Sequence, residues 1–169
     1  ADTADGLLSS RPRGQILEIM RDSRTGAMGV VAVVCVILLK TALFASVAPD
    51  DARWKIALLM PVAGRCAMVA TMAVFRYARP EGGLATILAV RGARRWLLLA
   101  WAVVMVVGAG WLLAGLPGLV AGAASTGAGL LVGAYCHRRI GGYTGDTLGA
   151  TNEIVECVPA LVGALWAWN

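Results

Sequence analysis

Long uninterrupted apolar runs dominate this chain, and each restricts what its residues can fold into. Residues 27–48, 56–75, 96–116 and 117–136 each reach about 30 Å as a helix rising about 1.5 Å per residue, enough to cross a hydrocarbon core. A shorter run, 154–168, is free of charge only after Glu156, so it spans fully only with tilt or local bilayer adjustment. Composition agrees: 59% of residues are hydrophobic, 15% are charged and mean hydropathy is +0.73, whereas a soluble domain is about half apolar and about a quarter charged. The expectation is an all-α, polytopic integral membrane helix bundle. It has four transmembrane helices and a fifth from the last run, forming one membrane domain over residues 1–169 with no separate soluble domain.

Threading four crossings puts residues 1–26, 76–95 and 137–153 on one side of the bilayer. Residues 49–55 and the tight turn Gly115-Leu-Pro-Gly118 fall on the other. The first side then holds Arg11, Arg13, Arg21, Arg24, Arg76, Arg79, Arg91, Arg94, Arg95, Arg138 and Arg139, against Arg53 and Lys55 opposite. The positive-inside rule makes that side cytoplasmic. It accounts for the net charge of +5 without a nucleic-acid partner. Asp2, Asp5, Glu18, Asp22, Glu81, Asp146, Glu153 and Glu156 gather on the same side, and only Asp50 and Asp51 face outward. The outer loops are too short to bind much, so function is expected inside.

Several simpler readings bound the chemistry. The polar start at Ala1 is not a signal peptide and reads as a cut end. Cys35, Cys66, Cys136 and Cys157 lie in or beside apolar runs without CxxC spacing, so they read as small core hydrophobes. His137, the single histidine, and Trp54, Trp96, Trp166 and Trp168 read as interfacial groups. The glycine and alanine abundance over 108–134, with Ala109, Gly110, Gly118, Gly122, Gly129 and Gly133, marks close helix packing.

Three polar stretches remain. Asp2 and Asp5, three apart before Gly6, share one face of a helix and can share a divalent cation; alone they equally suit a solvated acidic helix start. Residues 15–26 read as a short amphipathic helix with Gln15, Glu18 and Asp22 on one face, flanked by Arg21 and Arg24. Carboxylates that hold a metal beside guanidinium forks that grip phosphate suit phosphoryl transfer, and an interfacial helix with paired charges is the competing reading. Between them Arg65 falls mid-span, where an ionised group faces a partner or polar cavity. Lys40 sits nearer a helix end, and its stem is expected to snorkel outward. Last, the glycine-rich residues 141–147 lead into a helix capped by Asp146, a backbone suited to an anion but lacking the GK[ST] of a P-loop. Asp146 with Glu153, and Asn152 with Glu156, then present polar faces at the membrane surface.

Taken together, Ala1-Asp-Thr-Ala-Asp-Gly6, Leu17-Glu-Ile-Met-Arg-Asp-Ser-Arg-Thr-Gly26 and Gly142-Tyr-Thr-Gly-Asp-Thr-Leu-Gly-Ala150 with Glu153 and Glu156 resemble the cobalamin synthase (adenosylcobinamide-GDP ribazoletransferase) family. Gly64-Arg65 and Tyr77-Ala-Arg-Pro-Glu-Gly-Gly-Leu84 are similar to its middle pattern. Family members carry further membrane segments and a His-Leu-Asp-Gly-Leu run ahead of this point, so the resemblance covers the C-terminal portion of a larger domain. It implies a multi-pass inner-membrane enzyme with cytoplasmic motif loops. Such an enzyme joins adenosylcobinamide-GDP to α-ribazole or its 5'-phosphate with Mg2+, and releases GMP. It also implies roles: Asp2, Asp5, Asp146 and Glu153 toward the metal; Asp22 toward the metal or the acceptor hydroxyl; Arg21, Arg24 and Arg65 toward the pyrophosphate; Gly142, Thr144, Gly145, Thr147 and Arg79 toward substrate.

Two other readings stay open. A CDP-alcohol phosphotransferase also spaces aspartates by three beside a glycine, although its longer acidic pattern is not completed here. A transporter or channel subunit would use Arg65 and Lys40 along an anion path, yet would need polar residues on both sides. Whether the chain forms a homo-oligomer is not written in the sequence.

Overall fold

A computed structural model of the chain describes residues 1–47, 51–79 and 92–166, without the side chains of 51 and 52. Asp50, Glu81, Arg91, Trp168, the part of the middle pattern beyond Arg79 and the side chain of Asp51 lie outside the described residues. Two short helices, α1 (Asp2–Leu7) and α2 (Arg13–Ile19), precede the long ones: α3 (Ala27–Ser46), α4 (Asp51–Val74), α5 (Arg94–Ile140) and α6 (Gly145–Trp166). The last four are each long and apolar enough to cross a membrane.

Helix α5 counts twice. Its 47 residues would extend about 70 Å if straight, more than double a hydrocarbon core. The chain instead folds back at Gly115, whose φ of 60° and ψ of −135° are non-helical and open to a residue without Cβ. Pro117 follows immediately. A Cβ on Gly110 would strike the Gly118 carbonyl, and one on Gly118 the Gly110 carbonyl. One on Gly122 would lie 2.7 Å from the Val106 carbonyl oxygen. Glycines let the two arms touch backbone to backbone, which is how helices pack without a hydrophobic drive between them. With α5 folded into two arms, the described helices give five segments long enough to cross a membrane, and the turn falls where the sequence predicts it.

Helix α4 lies against both arms of α5 and against α6. Ala63, Cys66, Ala67, Ala102, Val106 and Val155 form the seam, and a Cβ added to Gly129 would lie 2.7 Å from the Ala67 Cβ. Cys66, Cys136 and Cys157 are buried as expected, but Cys35 faces outward from α3. Helix α3 is the loosest member. It packs chiefly on α6 and α1 and leaves Val30, Val33, Ile37 and Leu38 exposed.

One end of the bundle collects the motif segments. Leu7, Ile16, Met20, Ala78, Cys136 and Ile140 form a small core there. Arginines tie the chain down around it: Arg13 donates to the Ala78 carbonyl at 2.9 Å, Arg76 to Gly141 at 3.1 Å, and Arg139 to Leu7 and Ser9 at 3.1 and 2.6 Å. Several cations that read as an orientation signal thus also bind backbone. Gly141, at φ 80°, ends α5 in the left-handed conformation, and its N–H donates to the His137 carbonyl at 2.9 Å. At this end His137 packs against Phe75, with ring centroids 5.7 Å apart.

Candidate active site

The glycine-rich loop is built as a junction. Tyr143 pairs with Tyr77 as a parallel β-bridge, through Tyr143 N–H to the Arg76 carbonyl and Ala78 N–H to the Tyr143 carbonyl, both 2.9 Å. Gly142 is required beside it, since a Cβ there would run into the Arg76 carbonyl. The next residues cap α6. The Thr144 N–H donates to Thr147 Oγ1 at 2.8 Å and the Thr147 N–H to Thr144 Oγ1 at 3.3 Å, a reciprocal capping box with threonine in the usual Glu/Gln position. The cap is therefore Thr144 rather than Asp146. Asp146 instead sits in the first turn, where the helix dipole favours a negative charge. Its Oδ2 accepts from Arg79 at 3.0 Å and from the Thr144 hydroxyl at 3.5 Å. Of the residues expected to touch substrate, Thr144 and Thr147 are buried and bonded to each other. Arg79 is drawn to Asp146, with its Nε buried and unpartnered. Burial and the neighbouring Tyr77 raise the Tyr143 phenol above its ordinary pKa.

A second polar group lies deeper. Helix α6 starts at Gly145, well before the apolar run at 154, so Asn152, Glu153 and Glu156 stand two to three turns along the helix rather than at its start. Lys40 Nζ is 2.6 Å from both Glu153 Oε2 and Glu156 Oε2. Asn152 Nδ2 donates to Glu156 Oε1 at 2.7 Å and Glu153 Oε1 at 3.2 Å, while its Oδ1 accepts from Arg65 at 2.8 Å. Gly64 makes room, since a Cβ there would sit 2.6 Å from Asn152 Oδ1. The result is a chain of contacts, Lys40 to the two glutamates to Asn152 to Arg65, crossing α3, α6 and α4. Arg65 has the partner that an intramembrane cation is expected to have. Lys40 does not snorkel outward; it turns to α6.

Its position on α3 is what hid Lys40. Helical side chains lean toward the helix N-terminus, here the motif end, so the stem reaches back toward the glutamates. The available signal was a lysine thirteen residues past Ala27 in an otherwise apolar helix, matched in the last span by Glu153 and Glu156.

The acidic motif is partly committed to structure. Asp5 accepts from the N–H groups of Gly26 and Gly29, both at 2.8 Å, and so caps the start of α3. Asp2 shares helix α1 with it, and α1 packs on α6. Asp22 lies beyond the end of α2, so Gln15, Glu18 and Asp22 do not share one helix face. Asp22 binds the exposed Arg24 at 2.8 Å. Hydrogen bonds from Arg24 hold its carboxyl near a pKa of about 2. Arg21 is exposed just past the same helix. Asp146 and Glu153 engage different cations, Arg79 and Lys40. Among the described residues no group of three or more His, Cys, Asp or Glu gathers at metal-ligand spacing.

Crossing helices that carry ion pairs at depth, joined to a polar junction at one end, define a multi-pass membrane protein with a charged site built into its bundle. The chain belongs to the cobalamin-5-phosphate synthase family, whose model matches residues 1–164. Its relatives include the adenosylcobinamide-GDP ribazoletransferase of Desulforamulus reducens, 42% identical over 92% of this chain and 61% of the relative. Those of Caldanaerobacter subterraneus subsp. tengcongensis and Geotalea daltonii are 38% and 35% identical, over 94% and 96% of this chain. They are matched over 63% and 64% of their own length. The chain thus spans less than two thirds of these relatives. No solved structure matches it significantly.

Proposed function

We propose that this chain is a portion of an adenosylcobinamide-GDP ribazoletransferase. The enzyme transfers the cobinamide phosphate of adenosylcobinamide-GDP to a hydroxyl of α-ribazole or its 5'-phosphate and releases GMP. The observation that carries this reading is the line of Lys40, Glu153, Glu156, Asn152 and Arg65 through three helices, in a chain whose family match runs over residues 1–164. The same match favours it over a CDP-alcohol phosphotransferase or a transporter.

The residues divide the work by chemistry. The transfer forms a phosphate ester to the attacking hydroxyl and breaks the phosphoanhydride of the pyrophosphate as GMP leaves, so the protein's main tasks are alignment and stabilisation of negative charge. Arg65 is exposed and gives one nitrogen to Asn152, which leaves most of its guanidinium fork to meet the pyrophosphate. Arg79, held by Asp146 beside the loop, would take a second phosphate or sugar oxygen. Glu153, with its side chain 52% exposed, would accept a proton from the attacking hydroxyl. Arg21 and Arg24, on the exposed segment after α2, would meet the nucleotide diphosphate at the bundle's end, with Asp22 orienting Arg24.

Magnesium suits the donors present. They are carboxylates without His or Cys, and this ion commonly takes one or two carboxylates with phosphates and water completing its shell. Asp2 and Asp146, on packed helices α1 and α6, would hold it. When bound, it would neutralise phosphate oxygens of the nucleotide. The motif end is assigned to the cytoplasm of an inner membrane, where the arginine-rich segments belong by the positive-inside rule.

The test uses the full-length protein in lipid nanodiscs with magnesium, adenosylcobinamide-GDP and α-ribazole 5'-phosphate. GMP release and formation of the joined nucleotide are expected, with Arg65→Leu and Glu153→Gln lowering the rate by about a hundredfold or more. No GMP release from wild type, or undiminished release from both variants, would overturn the proposal.

A further inference from the structure

Helix α3 has a peculiar balance of attachments. Most of its length is exposed apolar surface, and of its residues only Gly29 is buried outright. Yet it is held at two polar points. At its first turn, the Asp5 carboxylate takes the Gly26 and Gly29 N–H groups. Thirteen residues on, about 20 Å along the axis, Lys40 takes Glu153 and Glu156 of α6. The first point fixes α1, which carries Asp2 and Asp5, to α3. The second fixes α3 to the helix that carries Asp146, Asn152, Glu153 and Glu156. Two segments distant in sequence are therefore registered against each other through one loosely packed helix.

We infer that Lys40 is a positioning residue: by binding Glu153 and Glu156 it docks α3 on α6 and sets the acidic α1 motif relative to the α6 carboxylates and Arg65. This rests on the function proposed above. Three features support it. Lys40 is only 20% exposed and its two contacts, both 2.6 Å, go to adjacent turns of one helix, which defines a height and a rotation for α3 and not merely a point of attachment. Glu156 is 16% exposed and its other oxygen is bound by Asn152, so the lysine's partner is itself held in place. Charge also favours the arrangement: without Lys40, two glutamates one turn apart would face each other with Arg65 bound to Asn152 and to neither of them, and like charges at this spacing repel. Lys40 does not need to touch substrate for any of this.

The experiment combines kinetics with a distance on full-length protein in nanodiscs. Spin labels on the natural Cys35 of α3 and on a Leu161→Cys substitution in α6, both exposed, report docking directly. Wild type should give one narrow distance. Lys40→Met should broaden or lengthen it and lower kcat by about a hundredfold, as expected for a misplaced reacting group, with KM held within about threefold. Lys40→Arg should retain the narrow distance and most of the rate. The exchange Lys40→Glu with Glu156→Lys, read by distance alone, should recover docking and guards against a Lys40→Met chain that fails to fold. A narrow wild-type distance in Lys40→Met would overturn the inference, whatever the rate. So would a raised KM at unchanged kcat, which would put Lys40 on the substrate. If wild type releases no GMP, the proposed function fails, and the distances still decide whether Lys40 docks α3.

Discussion

Asp5 offers the sharpest separation of structure from chemistry, because its motif resembles a metal ligand while its carboxylate caps a helix. Both oxygens are used, one on the Gly26 N–H and one on the Gly29 N–H, each at 2.8 Å. Replacing a capping side chain with alanine costs about 0.5–2 kcal/mol, and removing a negative charge from a helix N-terminus costs about 0.3–1 kcal/mol more. Asp5→Ala is therefore expected to weaken the first turn of α3 by about 2 kcal/mol, or about 30-fold in local opening, since about 1.4 kcal/mol is a factor of ten. Asp5→Asn retains one acceptor and loses the charge, so about 1 kcal/mol and about fivefold are expected. Hydrogen exchange read by mass spectrometry over residues 24–32, in detergent or nanodiscs, measures this opening residue range by residue range. Magnesium should leave the order of the variants unchanged. If Asp5→Ala leaves those amides as protected as in wild type, the capping assignment is wrong. If protection depends on magnesium in wild type and not in Asp5→Ala, Asp5 is a metal ligand first.

Other positions give equally direct outcomes. Gly118→Val should separate the arms of α5, because its side chain would meet the Gly110 carbonyl; loss of thermal stability of several degrees with little change in helix content by circular dichroism is expected. Thr144→Val removes one half of the reciprocal cap while keeping shape, and should destabilise the start of α6 by about 1 kcal/mol, seen as faster amide exchange over 144–149. Arg24→Ala should return the Asp22 carboxyl from about 2 toward its ordinary value of 3.8, measured by carbon-13 shifts of labelled aspartate. Because Asp22 is depressed in the folded chain, whatever stability it lends is present above about pH 4 and lost as pH falls through about 2. Activity at neutral pH should therefore show no titration from this pair.

The apolar skeleton was legible because run length and composition are properties of single segments. The α5 hairpin was readable for the same reason: Gly115, Pro117 and Gly118 break a run that would otherwise be too long for one crossing. The beginning of α6 was not, because hydropathy averages hide a spanning helix whose first three turns carry Asp146, Thr147, Thr151, Asn152, Glu153 and Glu156. The cue was local, the Thr144 and Thr147 spacing of a capping box, and it competed with Asp146 as a cap. Of the site, Arg65 was legible from its depth alone. Lys40 was not, since distance to the helix end says nothing of which way a side chain leans. The Asp22 face failed because α2 ends at Ile19, and helical spacing means nothing past the last turn.

The network at depth also orders the arginines expected to meet phosphate. Charges inside a bilayer are expensive and persist where they pair or face a polar space. Here Lys40 and Arg65 stand against Glu153 and Glu156, formally two cations and two anions. Lys40 bridges both anions and has few donors left. Arg65 hydrogen-bonds Asn152 and forms no direct ion pair with either glutamate, and it stays exposed. Arg79 is neutralised by Asp146 and Arg24 by Asp22. A phosphate arriving at this site would gain most from Arg65, because the other two must loosen a carboxylate first. Loss of Arg65 should accordingly cost more rate than loss of Arg79 or Arg24, and a rate order with Arg24→Ala lowest would show that the phosphate sits at the bundle's end and not within it.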